Sequence, residues 1–413
     1  MCISHPFTLN MTSKLNTPLW TTFSAFPSTE TWPRFNGQPV PLGGMTVEHF
    51  LKHYWHKKPL LIRNAIPEFK AFFSPDDALN ALHDEAFESR LITQDETKGW
   101  QLKSGPLKLR QIPSRKKTNW TALIQGVDLN DASGHALINL FRFIPDARLD
   151  DLMVSFATDG GGVGPHYDSY DVFLLQAHGK RHWHIGADQD STLIPNMPLK
   201  ILQNFKPTED FVLEPGDMLY LPPQYAHDGI AEGDCMTYSI GFRAPTYREL
   251  GVALLNFVED NIELEGRYAD PKLKPQNTPA ELPPSMVNDV YGKLQELKWD
   301  KGWVAECLGC YLSEPKNNVW FETPAPIALA AFKRHVKKSG VVLARGSKML
   351  YSTPWVFING EHLVADGLDA TALQSLANDR GVEPSDAQTW DNDSALWIVL
   401  HDWYAQGWLE LAK

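Results

Sequence analysis

Two segments of the chain carry residue types that can hold a metal ion. One is Gly160-Gly-Gly-Val-Gly-Pro-His166-Tyr-Asp168, the other Glu214-Pro-Gly-Asp-Met-Leu-Tyr-Leu-Pro-Pro-Gln-Tyr-Ala-His227. On a strand, residues i and i+2 point to the same face about 6.6 Å apart, so His166 and Asp168 can converge on one ion. A turn, a short strand and a proline pair then deliver His227 at the start of a further strand. Two histidines and one carboxylate make the facial triad that binds ferrous iron and leaves positions open for other ligands. The glycine-rich lead-in and the Pro-Gly-Asp turn favour this over two core histidines and a turn aspartate. A cupin-type ligand set, His-x-His followed by Glu, is the competing metal reading, and Asp168 in the second place favours redox iron.

The open positions on such iron suit 2-oxoglutarate and O2. The keto oxygen and adjacent carboxylate of 2-oxoglutarate chelate the metal, and its distal carboxylate needs a cation. Arg181, in His178-Gly-Lys-Arg181-His-Trp183, is the candidate, because a planar guanidinium grips a carboxylate with two bonds even in a dry pocket. Arg243, at a strand end before Pro245, is the weaker one. If Arg181 faces the pocket, strand alternation turns Lys180, His182 and His184 away from it. The same alternation puts Asp151, Met153 and Ser155 on one face, and Tyr170 can wall the same cavity. An inward carboxylate at Asp151 would suit a cationic side chain.

These residues need a scaffold of strands. From 151 to 245 the chain shows short apolar or alternating runs at 152–157, 172–177, 181–185, 211–213, 218–221, 227–231 and 236–242, separated by Gly, Pro and Asp clusters. That texture predicts a jelly roll. Before it, Thr46 caps a helix with Val47, Phe50, Leu51 and Tyr54 on one face, and Pro59 starts an extended run at 60–62. After Pro245 the period becomes helical over 247–265 and 286–312, around a proline-rich loop at 270–284. Helices near 327–338, 370–378 and 394–406 surround a hairpin whose Asn359-Gly360 turn joins 356–358 to 362–364. That arrangement predicts a winged-helix-like module. The expected fold class is therefore α+β. Its domains are an N-terminal arm over 1–44, a jelly-roll catalytic domain over 45–245, a helical segment over 246–315 and a winged-helix-like domain over 316–413.

The 413 residues carry 38 Lys plus Arg against 50 Asp plus Glu, a formal net charge of -12, which disfavours a surface built to hold phosphate backbones. A basic protein partner fits better. Apolar runs fall far short of the roughly 18 residues that span a membrane. The first 44 residues lack the basic start and apolar run of a signal peptide. Four cysteines are too few for a disulfide framework, so a reducing cytoplasm is expected. Cys307-Leu-Gly-Cys310 has no second pair or spaced His, and reads as a helix face in preference to half a zinc site.

The stretches Asp151-Leu-Met-Val-Ser-Phe, Gly160 to Phe173, Leu213-Glu-Pro-Gly-Asp-Met-Leu-Tyr-Leu-Pro-Pro and Tyr238-Ser-Ile-Gly-Phe-Arg243-Ala-Pro resemble the bacterial ribosomal oxygenases of the JmjC, cupin-like class. These hydroxylate an arginine in the large-subunit ribosomal protein numbered sixteen. The resemblance implies a jelly-roll JmjC domain, a helical dimerisation segment and a C-terminal winged helix that serves assembly or substrate contact. It implies that His166, Asp168 and His227 bind Fe(II) and that Arg181 binds 2-oxoglutarate, with Ser155 a further pocket candidate on the cosubstrate side. Asp151, Met153 and Tyr170 match positions expected to hold the substrate arginine. The implied protein is a cytoplasmic homodimer acting on a basic ribosomal protein, without direct nucleic-acid binding. The long N-terminal arm and the His182/His184 pair depart from the family pattern. Other readings are a JmjC oxygenase acting on a ribosomal histidine or demethylating a lysine, a DNA-binding ligand sensor, and a cupin-type sugar isomerase.

Overall fold

The computed structural model describes residues 32, 34–35, 37–95, 97–187, 190–297 and 300–412. Most of the expected N-terminal arm, Cys2 included, lies outside the described residues. The chain divides into two compact units. One comprises the residues up to Ala244 with Lys316–Ser347 and Ser375–Lys413, and the other Pro245–Pro315 with Lys348–Gln374. The segment 316–413 is therefore shared between them.

The first unit is built on one antiparallel sheet of nine strands. In chain order they are β1 (Leu60–Ile62), β2 (Ser89–Asp95), β3 (Gly99–Ser104), β4 (Trp120–Ile124), β5 (Leu149–Ala157), β6 (Val172–Gly186), β7 (Glu209–Leu213), β8 (Met218–Leu221) and β9 (Ala226–Phe242). They pair in the order β1-β8-β6-β9-β5-β4-β2-β3, with β7 added to β6. This is the jelly roll expected from the turn spacing. One detail differs. The runs 172–177 and 181–185 are one continuous strand, as are 227–231 and 236–242. Both long strands cross a glycine with positive φ, Gly179 and Gly233, and their register shifts between Glu232 and Met236. A Cβ on Gly179 would overlap the Asp234 carbonyl, so the crossing requires glycine. The sequence shows these glycines as turns, whereas here they let a strand bend without ending.

Helix α1 (Val47–His53) begins at Thr46, whose hydroxyl accepts the His49 N–H, and it buries Val47 and Phe50. Helices α2 (Pro75–Ala81), α3 (Val127–Asn130) and α4 (Ala132–Asn139) also belong to this unit. The main core joins Phe50, Phe141, Phe173 and Tyr220 to Leu152, Val154 and Phe156 of β5 and to Met236, Tyr238 and Ile240 of β9. Each such side chain contributes about 1.5–3 kcal/mol by leaving water. Because alternate residues of β5 and β9 are committed to this core, Asp151, Met153, Ser155, Thr237 and Ser239 turn to the opposite face. On that face Leu174, Trp183, Ile185, Leu213, Leu219 and Leu221 form a second apolar cluster.

The second unit holds α5 (Tyr247–Asn261), α6 (Pro284–Leu294) and α7 (Lys301–Ser313). A single helix over 286–312 is expected from periodicity, but two form, because Asp300 accepts the Trp303 N–H and caps a fresh helix start. In the first unit, α8 (Leu329–Ser339) leads into β10 (Val341–Leu343). The second unit then adds a meander of β11 (Met349–Ser352), β12 (Trp355–Ile358) and β13 (Glu361–Val364). The turn from β12 to β13 is the predicted Asn359-Gly360, with φ of 52° and 90°. Helix α9 (Gly367–Asp379) contains the boundary between units, after which β14 (Gly381–Val382), α10 (Pro384–Thr389), α11 (Leu396–Ala405) and β15 (Leu409–Leu411) return to the first. There β10 pairs with both β14 and β15, and Arg142 donates to the Ala377 and Asn378 carbonyls. No described helix is long and apolar enough to cross a membrane.

Candidate active site

His166 and His227 form an antiparallel bridge, exchanging backbone N–H to carbonyl bonds of 3.0 and 2.9 Å, so their side chains start side by side. Their ring centroids are 4.3 Å apart. The Nδ1 of His166 donates to the Gly164 carbonyl at 2.8 Å, and that of His227 to the Tyr225 carbonyl at 3.1 Å. Both rings are thereby held in the tautomer whose Nε2 lone pair is free. Those two Nε2 atoms lie 3.7 and 3.6 Å from the two oxygens of Asp168. Among the described residues, His166, Asp168 and His227 are the only group able to offer three converging metal-ligand atoms, all within 4.8 Å of one another. Burial, then the neighbouring His166, pulls His227 down to about 4, so it is a neutral imidazole at physiological pH. The glycine-rich lead-in has a steric cause: a Cβ on Gly162 would stand 2.8 Å from the Gly229 carbonyl oxygen of β9.

Arg181 projects from β6 into the same interior. It is 3 % exposed, its Nη1 donates to the Gly229 carbonyl at 3.2 Å, and its Nε and Nη2 are buried with no hydrogen-bond partner. A buried guanidinium with unfilled donors is unfavourable unless an anion arrives. The residues therefore fit a carboxylate cosubstrate beside a metal. The neighbouring Trp183 leaves its Nε1 unpartnered too and places its ring 5.9 Å from that of His227. Lys180, His182 and His184 sit on the other face, as alternation requires. Lys180 pairs with Glu214, His182 with Asp210 at 2.9 Å, and the two imidazoles lie 4.4 Å apart. Arg243 is tied through its backbone to Arg148.

Comparison with known proteins agrees with this geometry. Residues 136–250 match the JmjC domain family and 296–410 the ROXA-like winged helix. The ribosomal protein uL16 3-hydroxylase of Escherichia coli K12 is 34 % identical over 333 residues, covering 80 % of this chain and 88 % of that protein. The chain belongs to the ribosomal oxygenase family. A probable ribosomal oxygenase of Haemophilus influenzae is 39 % identical over 209 residues, 50 % of this chain and 52 % of that one. The structure of YcfD, a ribosomal oxygenase from Escherichia coli, in complex with cobalt and 2-oxoglutarate superposes with a TM-score of 0.75 at 30 % identity. It covers 89 % of this chain and 98 % of that one. This ribosomal oxygenase is a JmjC-type 2-oxoglutarate dioxygenase that uses ferrous iron.

In the ribosomal oxygenase fold, Asp151, Met153 and Ser155 share the face of β5 turned away from the main core. The Ser155 hydroxyl donates to the Thr237 carbonyl at 3.3 Å, and Thr237 Oγ1 donates to Gln176 Oε1 at 3.1 Å, forming a buried polar row across β5, β9 and β6. Asp151 Oδ1 and the Tyr170 ring both flank Gly241, at 3.6 and 3.9 Å from where a Cβ would stand. Tyr170 is 37 % exposed, and its phenol is pushed up by burial and then by the carboxylates of Asp168, Asp151 and Asp150. Thr237, Ser239, Gln176 and Trp183 are the interior residues that a sequence reading misses. Extending strand alternation through β9 would have found Thr237 and Ser239 beside Ser155. Cys307 and Cys310 lie on α7, with Cys310 Sγ 3.4 Å from His362 Nδ1, outside any converging ligand set among the described residues.

Proposed function

We propose that this chain hydroxylates an arginine side chain of the large-subunit ribosomal protein uL16, in the cytoplasm where that protein is made. His166, Asp168 and His227 would hold Fe(II), and Arg181 with the Ser155 side of the cavity would hold 2-oxoglutarate. Asp151, Met153 and Tyr170 would hold the substrate. When bound, iron with 2-oxoglutarate and O2 supplies the oxidising power for inserting oxygen into an aliphatic C–H bond. The chain's own residues supply position. Asp151 pairs with the guanidinium, Met153 packs its methylenes, and Tyr170, within reach of the charges of both Asp168 and Asp151, walls the approach so that the target carbon is presented to the metal side. Burial of Arg181 and His227 keeps water from the cosubstrate end.

The observation that carries this reading is the alignment along one interior of a carboxylate for a cation, a two-His-one-Asp cluster and an orphaned guanidinium. Full-length protein given Fe(II), 2-oxoglutarate and a uL16 peptide containing the arginine will add one oxygen atom to that side chain in tandem mass spectrometry. His166→Ala and Asp168→Ala will abolish this. An unmodified arginine with oxygen on a histidine or lysine would favour the alternative substrates.

We further propose that the functional form is a homodimer. Val252 and Leu255 of α5 and Val287, Val290, Tyr291 and Leu294 of α6 are exposed apolar residues on one helical segment, and a second copy of that segment would cover them. Light scattering at micromolar concentration is expected to give twice the chain mass, and Leu255→Glu with Val290→Glu to halve it.

A further inference from the structure

Lys316 follows α7 and belongs to the same unit as β5. Its Nζ lies 2.9 Å from Asp150 Oδ1 and 3.7 Å from Asp151 Oδ2. The Gly126 N–H, 3.3 Å away, approaches the same Asp151 oxygen. Both interactions are thus on Oδ2. The other oxygen, Oδ1, lies on the Gly241 side, where the Tyr170 ring also approaches that glycine, and among the described residues no hydrogen bond reaches Oδ1. We propose that Lys316 is a positioning residue for substrate binding, which clamps Asp150 and Asp151 from behind and leaves Asp151 Oδ1 presented to a cationic side chain entering past Tyr170. The proposal rests on the reading that Asp151 receives the substrate guanidinium.

The charge arrangement gives the clamp its purpose. Three carboxylates gather here: Asp150 beside Asp151 on β5, Asp128 of α3, and Asp151 itself, whose side chain is 14 % exposed. Tyr170 faces them as a neutral phenol. Lys316 is the cation that all three carboxylates act upon. Burial pushes the Asp151 carboxyl up, Asp150 adds to that, and Lys316 is the strongest influence in the opposite direction. Asp128, fully buried, already rises to about 7. A protonated Asp151 would still be a polar wall but would no longer attract a guanidinium. Lys316 keeps the anionic end of the cleft anionic without occupying the oxygen the substrate needs.

The test is steady-state kinetics of the full chain with Fe(II), 2-oxoglutarate and a uL16 arginine peptide between pH 5.5 and 8.5. It is paired with peptide binding to protein loaded with a redox-inert metal. Lys316→Met is expected to raise the peptide KM about tenfold at neutral pH and to move the acid limb of kcat/KM upward by about one unit, with kcat at saturating peptide kept. Peptide-free conversion of 2-oxoglutarate to succinate should stay at the wild-type rate, which reports an intact metal and cosubstrate end. Lys316→Arg should restore the wild-type profile. Equal behaviour of the Met and Arg variants, or an unmoved acid limb in Lys316→Met, overturns the proposal. A fall in KM overturns it as well, since that would make Lys316 a competitor of the substrate. If wild-type protein turns over no arginine peptide at all, the substrate reading fails instead. In that case the effect of Lys316→Met on the Asp151 carboxyl, read by carbonyl-labelled NMR across the same pH range, decides the clamp by itself.

Discussion

Arg181 stands in the interior with two guanidinium nitrogens lacking partners, so its presence favours ligand binding over the stability of the empty fold. Replacing it with Met should raise the KM for 2-oxoglutarate on the order of a hundredfold, while leaving the peptide KM within a factor of about two. The ligand-free variant should melt no lower than wild type. Arg181→Lys should recover only part of the affinity, because an ammonium cannot reproduce the planar fork. Unchanged 2-oxoglutarate dependence in Arg181→Met would show that another cation binds the cosubstrate. At this scale the triad was legible, because a His-x-Asp pair on a strand and a later strand-starting histidine restrict each other. Arg181 was legible by alternation. Lys316 was not: it is distant in sequence from Asp151, sits in no periodic pattern, and acquires its meaning only when its unit folds and brings it against Asp150 and Asp151.

Among the elements, the strands are legible in the sequence and their continuity is not. Gly179 and Gly233 look like turns in the sequence, yet both lie inside long ladders, because the flanking residues still find partners on each side of the bend. A different glycine carries the packing of the second unit. Gly309 of α7 lies against the Phe357 ring of β12, where a Cβ would overlap the aromatic carbons. Gly309→Ala should therefore destabilise the protein by about 1–3 kcal/mol despite the better helix propensity of alanine. Gly251→Ala on α5, which meets open space, should be neutral or stabilising by about 0.5–1 kcal/mol. Thermal melts of the two variants compare them directly, and equal shifts would mean that propensity outweighs the Phe357 contact. Spacing within Cys307-Leu-Gly-Cys310 drew attention to the thiols, whereas the packed residue between them is the one the fold depends on.

At the scale of the whole molecule the surplus of acidic groups bears on encounter. With a formal net charge of -12, the chain would attract a basic protein, such as the proposed ribosomal substrate, over distances of about a Debye length, roughly 10 Å at 0.1 M salt. The KM for uL16 should accordingly rise several-fold between 50 and 300 mM salt, and that for 2-oxoglutarate far less, since Arg181, its proposed partner, is buried. A flat salt response for uL16 would assign recognition to local contacts alone. The composition made this asymmetry readable, but not the division into units, because the segment after Lys316 is helical and strand-forming in both of them.

That division bears on how the protein is made. The unit holding His166, Asp168 and His227 also includes α10, α11 and β15, all synthesised after the last of these three residues. Asp150 and Asp151 are synthesised well before the lysine that pairs with them. A nascent chain paused after β9 would possess every expected metal ligand and cosubstrate contact yet lack part of the unit around them. Completion of that unit by α10, α11 and β15, more than the appearance of the expected ligands, sets when this protein can begin to act.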